Sequence, residues 1–221
     1  IAGGKWNGMM TQKHIGYRSW NDDFPADRLP EIHRIGETAP GGFSFAADPR
    51  GYTAIEAEHY FAAQAAESTR WTVIPDLGRT RSALALMPYT LSAEGGALRY
   101  RVQLPEGTQA VRVHVVTKST LAFNNSGHRY EVDLGGQKQV QYFNARLNED
   151  PQNIYSVYYP TVARRVVETV SDLPASGGWN ELTLRPLDPG IVFEKIVVDY
   201  GGYTPQFLFG EESAATRAAA E

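Results

Sequence analysis

Apolar and polar residues alternate along most of the chain beyond residue 46. In the stretch "ALRYRVQLP" (97–105) every second residue is apolar, and the residues between them are Arg99, Arg101 and Gln103. The same alternation recurs in "AVRVHVV" (110–116), "HRYEVDLGG" (128–136) and "WNELTLRPL" (179–187). Because successive side chains of a strand point to opposite faces, this pattern predicts strands with one buried and one solvated face, as in antiparallel sheets.

Shorter apolar runs extend the pattern to five further strand candidates. Turn-forming sequences such as "PEG", "NNSG", "LGG", "SGG" and "DPG" separate the segments. Short strands divided by such turns predict an all-β domain, an antiparallel β-sandwich of the jelly-roll type. Helical character is confined to "HYFAAQAAEST" (59–69) and the final "EESAATRAAAE" (211–221). The further strand candidates lie at 71–75, 82–88, 138–144, 164–172 and 191–200.

Residues 1–45 do not follow this alternation and are rich in aromatic and turn-forming residues. A solvated linker with so many large apolar groups would expose an unusual apolar patch, so we expect an ordered strap packed on a neighbouring surface. The predicted domains are this N-terminal strap or connector (1–45), a β-sandwich (46–210) and a C-terminal tail (211–221). The chain starts abruptly at "IAGGKW", and we expect it to be a piece of a longer protein. The strap's large apolar residues are Trp6, Met9, Met10, Ile15, Tyr17 and Trp20.

Composition excludes several classes of function. The 221 residues are 42% hydrophobic and 21% charged, which is typical of a globular protein. The absence of cysteine excludes disulfides and thiolate metal sites. A net charge of −4 argues against a nucleic-acid partner, which would need a clustered basic face. No apolar run approaches the roughly 20 residues of a membrane helix, so we expect no membrane partner.

Two glutamates interrupt the predicted strand "YTAIEAEHYF" (52–61). Glu56 and Glu58 would share one strand face about 6–7 Å apart. That spacing suits a glycosidase carboxylate pair, but neighbours on one strand point in parallel instead of flanking a scissile bond. Parallel carboxylates suit a hard cation such as calcium, and Asp199 in "KIVVDYGG" would add a third acid if the first and last strands pair. A solvated strand face is the remaining alternative.

Other catalytic motifs are missing from the sequence. The histidines show no H-x-x-x-H or H-E-x-x-H spacing, which argues against a catalytic zinc site. No G-x-S-x-G serine motif and no glycine-rich phosphate loop between a strand and a helix occurs. The sequence therefore predicts no catalytic residue. The histidines are His14, His33, His59, His114 and His128.

Six sequence blocks carry a family resemblance and together span roughly residues 5–213. They are "KWNGMMTQKHIGYRSWND", "IEAEHY", "IPDLGRTRSAL", "NNSGHRYEVDLGGQ", "GWNELTLRPLDPGIVFEKIVVDYGG" and "PQFLFGEES". With these blocks the chain resembles the C-terminal portion of glycoside hydrolase family 115, the xylan α-1,2-glucuronidases. The resemblance implies a β-sandwich related to carbohydrate-binding modules of families 6 and 35, preceded by a helical domain and the catalytic domains. It also implies a secreted or periplasmic protein.

The resemblance also bears on the acidic residues. In the related carbohydrate-binding modules, an E-x-E on the first strand and an aspartate on the last strand hold a structural calcium ion. Glu56, Glu58 and Asp199 match these positions, so the resemblance implies a calcium site formed by these three residues. No catalytic residue of the family maps onto this chain.

Two hypotheses of function remain open. The first is a non-catalytic accessory domain that packs on the upstream domains of its enzyme or forms a homodimer through Trp6, Met9, Met10, Tyr17 and Trp20. The second is a carbohydrate-binding module for xylan or a related plant glycan, because aromatic rings can stack on the apolar face of a pyranose. Trp179, one of its candidates, precedes an alternating strand and is expected to be a core residue. The candidate glycan contacts are Tyr155, Tyr158, Tyr159, Trp179, Asn124 and Asn125.

Overall fold

The computed structural model describes residues 41–120, 127–144 and 154–217. All of these residues belong to the second of two units into which the chain divides, Gly36–Glu221. The predictions for the strap and for one pair of candidate glycan contacts lie outside the described residues and stay predictions. These residues are Trp6, Met9, Met10, Ile15, Tyr17, Trp20, Asn124 and Asn125.

The described part of the chain is built almost entirely from β-strands. A π-helical turn (Ile154–Tyr158) and the short helix α1 (Tyr159–Arg164) lie between two of the strands. The strands are β1 (Phe43–Phe45), β2 (Tyr52–Glu56), β3 (Ala62–Gln64), β4 (Arg70–Ile74), β5 (Ala83–Met87), β6 (Ala97–Leu104), β7 (Ala110–Lys118), β8 (His128–Leu134), β9 (Gln137–Phe143), β10 (Val166–Pro174), β11 (Gly178–Pro186), β12 (Val192–Asp199) and β13 (Ala215–Arg217).

Two sheets form the sandwich. The seven-stranded sheet has the order β13–β1–β6–β11–β8–β9, and β3 also pairs with β6. The six-stranded sheet has the order β10–β7–β12–β5–β4, and β2 also pairs with β12. Neighbouring strands are antiparallel except for β1 and β6, which run parallel. The predicted antiparallel β-sandwich is thereby confirmed.

The apolar sides of the alternating strands meet in one core between the sheets. Tyr100 and Tyr130 of the seven-stranded sheet are fully buried, as is Phe193 of the six-stranded sheet. The rings of Tyr130 and Phe193 pack edge to face at 5.4 Å. The Tyr100 hydroxyl donates to the carbonyl of Ala57 at 2.9 Å, and the Tyr130 hydroxyl bonds to that of Thr169. The large aromatic rings are therefore buried with their polar ends satisfied.

The expected helix at 59–69 does not form. Ala62–Gln64 is an edge strand that pairs with β6, and the Trp71 indole donates to the carbonyl of Gln64 at 2.8 Å. The end of the chain also differs from the helical expectation, because Ala215–Arg217 pairs with β1. In both places the segment forms backbone hydrogen bonds with an otherwise unpaired sheet edge. These bonds outweigh the weak preference of its alanines for a helix. Within the described ranges, no helix has the length and apolarity needed to cross a membrane.

Candidate functional site

The predicted meeting of Glu56, Glu58 and Asp199 does not occur. In the pairing of β2 with β12, Glu56 lies opposite Lys195 and Asp199 lies opposite Tyr52. The acids are therefore at opposite ends of the strand pair, about 13 Å apart for the rise of four residues. Glu58 follows the end of β2, where the amide of His59 donates to the carbonyl of Glu56 and turns the chain. The two glutamates consequently do not share a strand face.

Glu56 forms a buried ion pair with Lys195. The Lys195 Nζ atom lies 3.0 Å from Glu56 Oε1, and the two side chains are 3% and 4% exposed. The same ammonium donates to the carbonyl of Gly210 at 2.6 Å, and Thr80 Oγ1 lies 3.5 Å from it. The Thr80 hydroxyl donates to Glu56 Oε1 at 2.6 Å. The shell around this cation consists of a carboxylate, a carbonyl and a hydroxyl oxygen.

Asp199 has a separate local role at the end of β12. Its Oδ1 atom accepts the amide hydrogens of Gly201, Gly202 and Tyr203 at 2.8, 3.0 and 3.0 Å. Gly201 has a φ of +120°, a conformation that favours glycine. Asp199 therefore closes the turn that follows β12 and is not directed toward a shared ion.

The acids thus do not fit the calcium site that the sequence implied. Among the described residues no group of three or more histidines, aspartates or glutamates is placed to hold a metal ion. The negative charge of Glu56 is already balanced by Lys195, and the Asp199 oxygen is occupied by three backbone donors. Calcium binding by the domain stays a prediction, although the described fold does not bring these three acids together.

The carboxylate of Glu212 adds to the polar junction around Glu56. Its Oε1 atom lies 2.5 Å from His59 Nδ1 and accepts the amide of Glu56 at 3.1 Å, while Arg81 is 3.8 Å from Oε2. Burial alone would raise the pKa of Glu212, but the bond to His59 and the other donors lower the pKa below its usual value. The carboxyl group is therefore ionised and already engaged by these donors, which makes it a poor general base.

A cleft of about 400 Å³ opens at this junction. Four of the six resemblance blocks meet there: Glu56 comes from "IEAEHY", Thr80 from "IPDLGRTRSAL", Lys195 from the β12 block and Glu212 from "PQFLFGEES". The first and last of these blocks are joined by direct hydrogen bonds, as in the Glu56 amide to Glu212. These four blocks therefore build one ion-paired junction in this chain.

Trp179 is not a core residue. Its side chain is 48% exposed at the start of β11, opposite Gln103 of β6. The inward positions of β11 are Leu182 and Leu184, so strand alternation places residue 179 on the outward side. The sequence contained this signal, and the expectation of burial was wrong. The guanidinium of Arg101 lies 4.9 Å from the Trp179 ring centroid.

Three of the candidate tyrosines come together on the surface. Tyr155 is 74% exposed, and its ring lies 5.7 Å from that of Tyr159, with the Tyr158 ring 5.8 Å from Tyr159. They lie on the π-helical turn and α1, between β9 and β10. The structure thus forms an exposed aromatic cluster, while a glycan contact by these tyrosines stays a prediction.

A second cleft, which the sequence did not indicate, lies at the seven-stranded sheet. It has a volume of about 540 Å³, and Arg99, Arg129 and Arg185 line it. Each of these arginines belongs to the polar side of an alternating strand, so the sequence pattern shows them only as solvated residues. Strand pairing brings them together, because β6, β11 and β8 are neighbours in the sheet.

Several solved structures are similar to part of the chain. One is BtGH115A, a family GH115 4-O-methyl-α-glucuronidase with specificity for decorated arabinogalactans, at 18% identity and a TM-score of 0.44; the match covers 63% of this chain and 17% of that enzyme. Another is the C-terminal CBM6 of the laminarinase LamC from Zobellia galactanivorans, at 14% identity and a TM-score of 0.43; the match covers 67% of this chain and 98% of that module. A third is the Podospora anserina GH26-CBM35 β-(1,4)-mannanase, at 10% identity and a TM-score of 0.44; the match covers 71% of this chain and 29% of that enzyme.

Sequence comparison gives a more specific result. No curated protein matches the chain. Residues 47–212 match the family model of the glycosyl hydrolase family 115 C-terminal domain, and since these residues make up most of the chain, the chain belongs to that family.

Proposed function

We propose that this chain is the non-catalytic C-terminal accessory domain of a family 115 glycoside hydrolase and supports the packing of that enzyme. The observation that carries the proposal is the family match over residues 47–212. The parent protein would be an α-glucuronidase acting on glucuronoxylan. The partners would be its upstream catalytic and helical domains, or a second copy of the chain in a homodimer.

The chemistry of the buried acids agrees with a non-catalytic role. Glycoside hydrolysis needs two carboxyl groups, one of them protonated and both free to approach the sugar. Glu56 is instead neutralised by Lys195 at 3.0 Å, and Glu212 is bound to His59 at 2.5 Å. Lys118 Nζ lies 3.1 Å from Glu194 Oε1 in a third such pair. These three carboxyl groups are held by partners within the domain and offer no acid/base pair.

The direct test is an assay of uronic acid release. The isolated chain is incubated with aldouronic acids and with glucuronoxylan, and the full-length enzyme serves as the positive control. We expect release from the full-length enzyme only. Release by the isolated chain that is lost in Glu56→Gln would contradict the proposal. We also infer that the protein acts outside the cytoplasm, in the periplasm or after secretion, where polymeric glycans are found; cell fractionation of the producing organism tests this.

A second candidate function is that of a carbohydrate-binding module for xylan or a related plant glycan. The exposure of Trp179 supports it, because a half-exposed indole on a sheet face offers a flat apolar surface to a pyranose ring. Tyr155, Tyr158 and Tyr159 form a second exposed aromatic surface. Single scattered aromatics on a surface need no function, whereas clustered ones do suggest binding.

Affinity electrophoresis distinguishes this candidate from the accessory role. The parent chain, Trp179→Ala and the control Phe207→Ala are run through gels with and without xylan. Phe207 is a suitable control because its ring is 73% exposed in a different part of the domain. Retardation of the parent and of Phe207→Ala, but not of Trp179→Ala, would support the module. Equal mobility of all three chains in both gels would exclude it for xylan.

A further inference from the structure

We propose that the cleft lined by Arg99, Arg129 and Arg185 binds the carboxylate of an acidic sugar within a glycan chain. We call this site the arginine cleft. The proposal rests on the second candidate function, glycan binding, and adds to it a site and a ligand class. Three features of the domain support it: the charge of the cleft, the fixed positions of two guanidinium groups and the position of Trp179 on the same sheet.

The charge of the cleft favours an anion. Its lining contains the three arginines and one acidic residue, Glu94. The remaining polar side chains of the lining are the amide of Gln64 and the hydroxyl of Ser92. The acids that pair with the arginines, such as Asp188, are not part of the lining. A ligand in the cleft therefore meets an excess of donors and of positive charge, which suits a carboxylate and its neighbouring hydroxyls.

Two of the guanidinium groups are held in place by carboxylates that are not part of the cleft lining. Arg129 donates from Nε and Nη2 to the carboxylate of Asp188 at 2.8 and 2.9 Å. Arg185 uses a single nitrogen, Nη1, to contact Glu131 at 2.8 Å and Asp133 at 2.9 Å. A guanidinium carries five donors, so both arginines keep N–H groups for a ligand while their orientation is fixed. Such preorganisation lowers the entropy cost of binding.

Arg99 is the most available of the three cations. The carboxylate nearest to it is Glu181, at 3.8 Å from Nε, and both side chains are substantially exposed. Within the described residues this loose pair is the one ionic contact of Arg99, and no hydrogen bond is formed by its guanidinium. An exposed pair of this length contributes little to stability. Arg99 can therefore exchange Glu181 for a ligand carboxylate at small cost.

The position of Trp179 favours a sugar chain over an acidic protein partner. Trp179 and Arg185 occupy positions of the same parity on β11, and Thr183 between them lies opposite Arg99. They therefore belong to one face of the seven-stranded sheet. Arg185 lies six positions after Trp179 on β11, which corresponds to about 20 Å. An oligosaccharide of several units could stack one ring on Trp179 while a uronate carboxylate further along it meets the arginines.

The test is a binding titration with a matched pair of ligands. The probes are acidic oligosaccharides prepared from glucuronoxylan and the same oligosaccharides after chemical reduction of their carboxylates to alcohols. The variants are Arg99→Gln and the control Arg112→Gln. Arg112 is also exposed and paired with an acid, Asp172 at 2.8 Å, but it belongs to the six-stranded sheet. Arg99→Lys tests the planar fork separately from the charge, and melting curves confirm that each variant folds.

We expect the parent and Arg112→Gln to bind the acidic ligand at least about tenfold more tightly than Arg99→Gln does, because a charge-assisted hydrogen bond is lost. Reduction of the carboxylates should weaken binding to the parent by a similar factor. Equal binding of acidic and reduced ligands, with no effect of Arg99→Gln, would overturn the arginine cleft and leave glycan binding intact. No binding of either ligand would overturn both. The upstream catalytic domains of the enzyme, added as a separate protein, serve as a third probe. If they bind the parent chain but not Arg99→Gln, and neither oligosaccharide binds, the cleft holds a protein carboxylate and the proposal is overturned.

Discussion

The ammonium of Lys195 lies 3.0 Å from Glu56 Oε1 in a region where both side chains are almost completely buried. Gly210 and Thr80 complete a shell of oxygen atoms around this cation. Such a shell resembles the oxygen environment of a bound metal ion, but here the positive charge belongs to the protein. This pair joins β2 to β12 and to the segment that follows β12, so it connects the two ends of the sandwich.

The first prediction concerns the removal of this cation. In Lys195→Met the methylene volume is retained, but the carboxylate of Glu56 is left buried without a counter-charge. We expect a loss of about 3–5 kcal/mol in the free energy of unfolding, measured by urea denaturation. Lys138→Met is the matched control, since Lys138 pairs with Glu131 at 3.2 Å on the exposed surface. The control should change stability by less than about 1 kcal/mol.

A double variant separates the ion pair from general effects of substitution. Because Glu56→Gln and Lys195→Met each leave one member of the pair without its partner, their combination should cost clearly less than the sum of the two single changes. Strict additivity of the two losses would contradict a direct interaction between these residues.

The second prediction concerns calcium. Since Lys195 balances Glu56 and Asp199 is occupied by three backbone amides, we expect any difference in melting temperature between calcium and chelator to be the same in the parent chain and in Asp199→Asn. A bound ion at a hundredfold excess over its dissociation constant would add about 2.7 kcal/mol, which is easily detected. A calcium-dependent increase that disappears in Asp199→Asn would show instead that Asp199 does bind the ion.

The third prediction concerns acid stability. The bond from Arg129 lowers the pKa of Asp188, and the bond from Arg50 likewise lowers the pKa of Asp48. A carboxyl group with a lowered folded-state pKa contributes stability that is fully present above its unfolded pKa, near 4, and is lost as the pH falls through the folded pKa. We therefore expect the contribution of these two carboxyl groups to the urea midpoint to be flat above about pH 5 and to fall below pH 4.

Asp188→Asn tests the assignment of this pH dependence. The variant should lose stability at pH 7 and show a smaller decrease between pH 4 and pH 2 than the parent. Asp172→Asn is the control, because that acid is highly exposed in its pair with Arg112. An acid transition of unchanged size in Asp188→Asn would assign the pH dependence to other groups.

The fourth prediction concerns the tyrosine cluster. Tyr155→Ala and Tyr159→Ala should leave the melting temperature nearly unchanged, because both rings are mostly exposed. If the cluster is a glycan surface, each change should reduce retardation in an affinity gel several-fold, measured with the same gels as for Trp179→Ala. A large loss of stability would show that the rings pack in the folded domain, and unchanged retardation would exclude them from the binding surface.

The sequence by itself determined the class of fold and the orientation of most strand residues. The alternation between Leu98 and Leu104 correctly predicted a strand with a buried and a solvated face, and the order of the sequence blocks indicated the family. Even the exposure of Trp179 followed from its parity with respect to Leu182. These features are local, since the period of side-chain direction is set by the backbone of a single strand.

Only the tertiary structure decided which charges meet. Glu56 and Lys195 are 139 residues apart in sequence, and no local pattern specifies that they lie opposite each other while Asp199 lies opposite Tyr52. The same holds for the arginine cleft, whose three guanidinium groups come from separate strands. Tertiary structure also decided a secondary-structure element. Ala62–Gln64 is a strand and not a helix because it pairs with the edge of β6. Strand order and register depend on how the whole core packs, so contacts between distant strands are decided only when the sheets assemble.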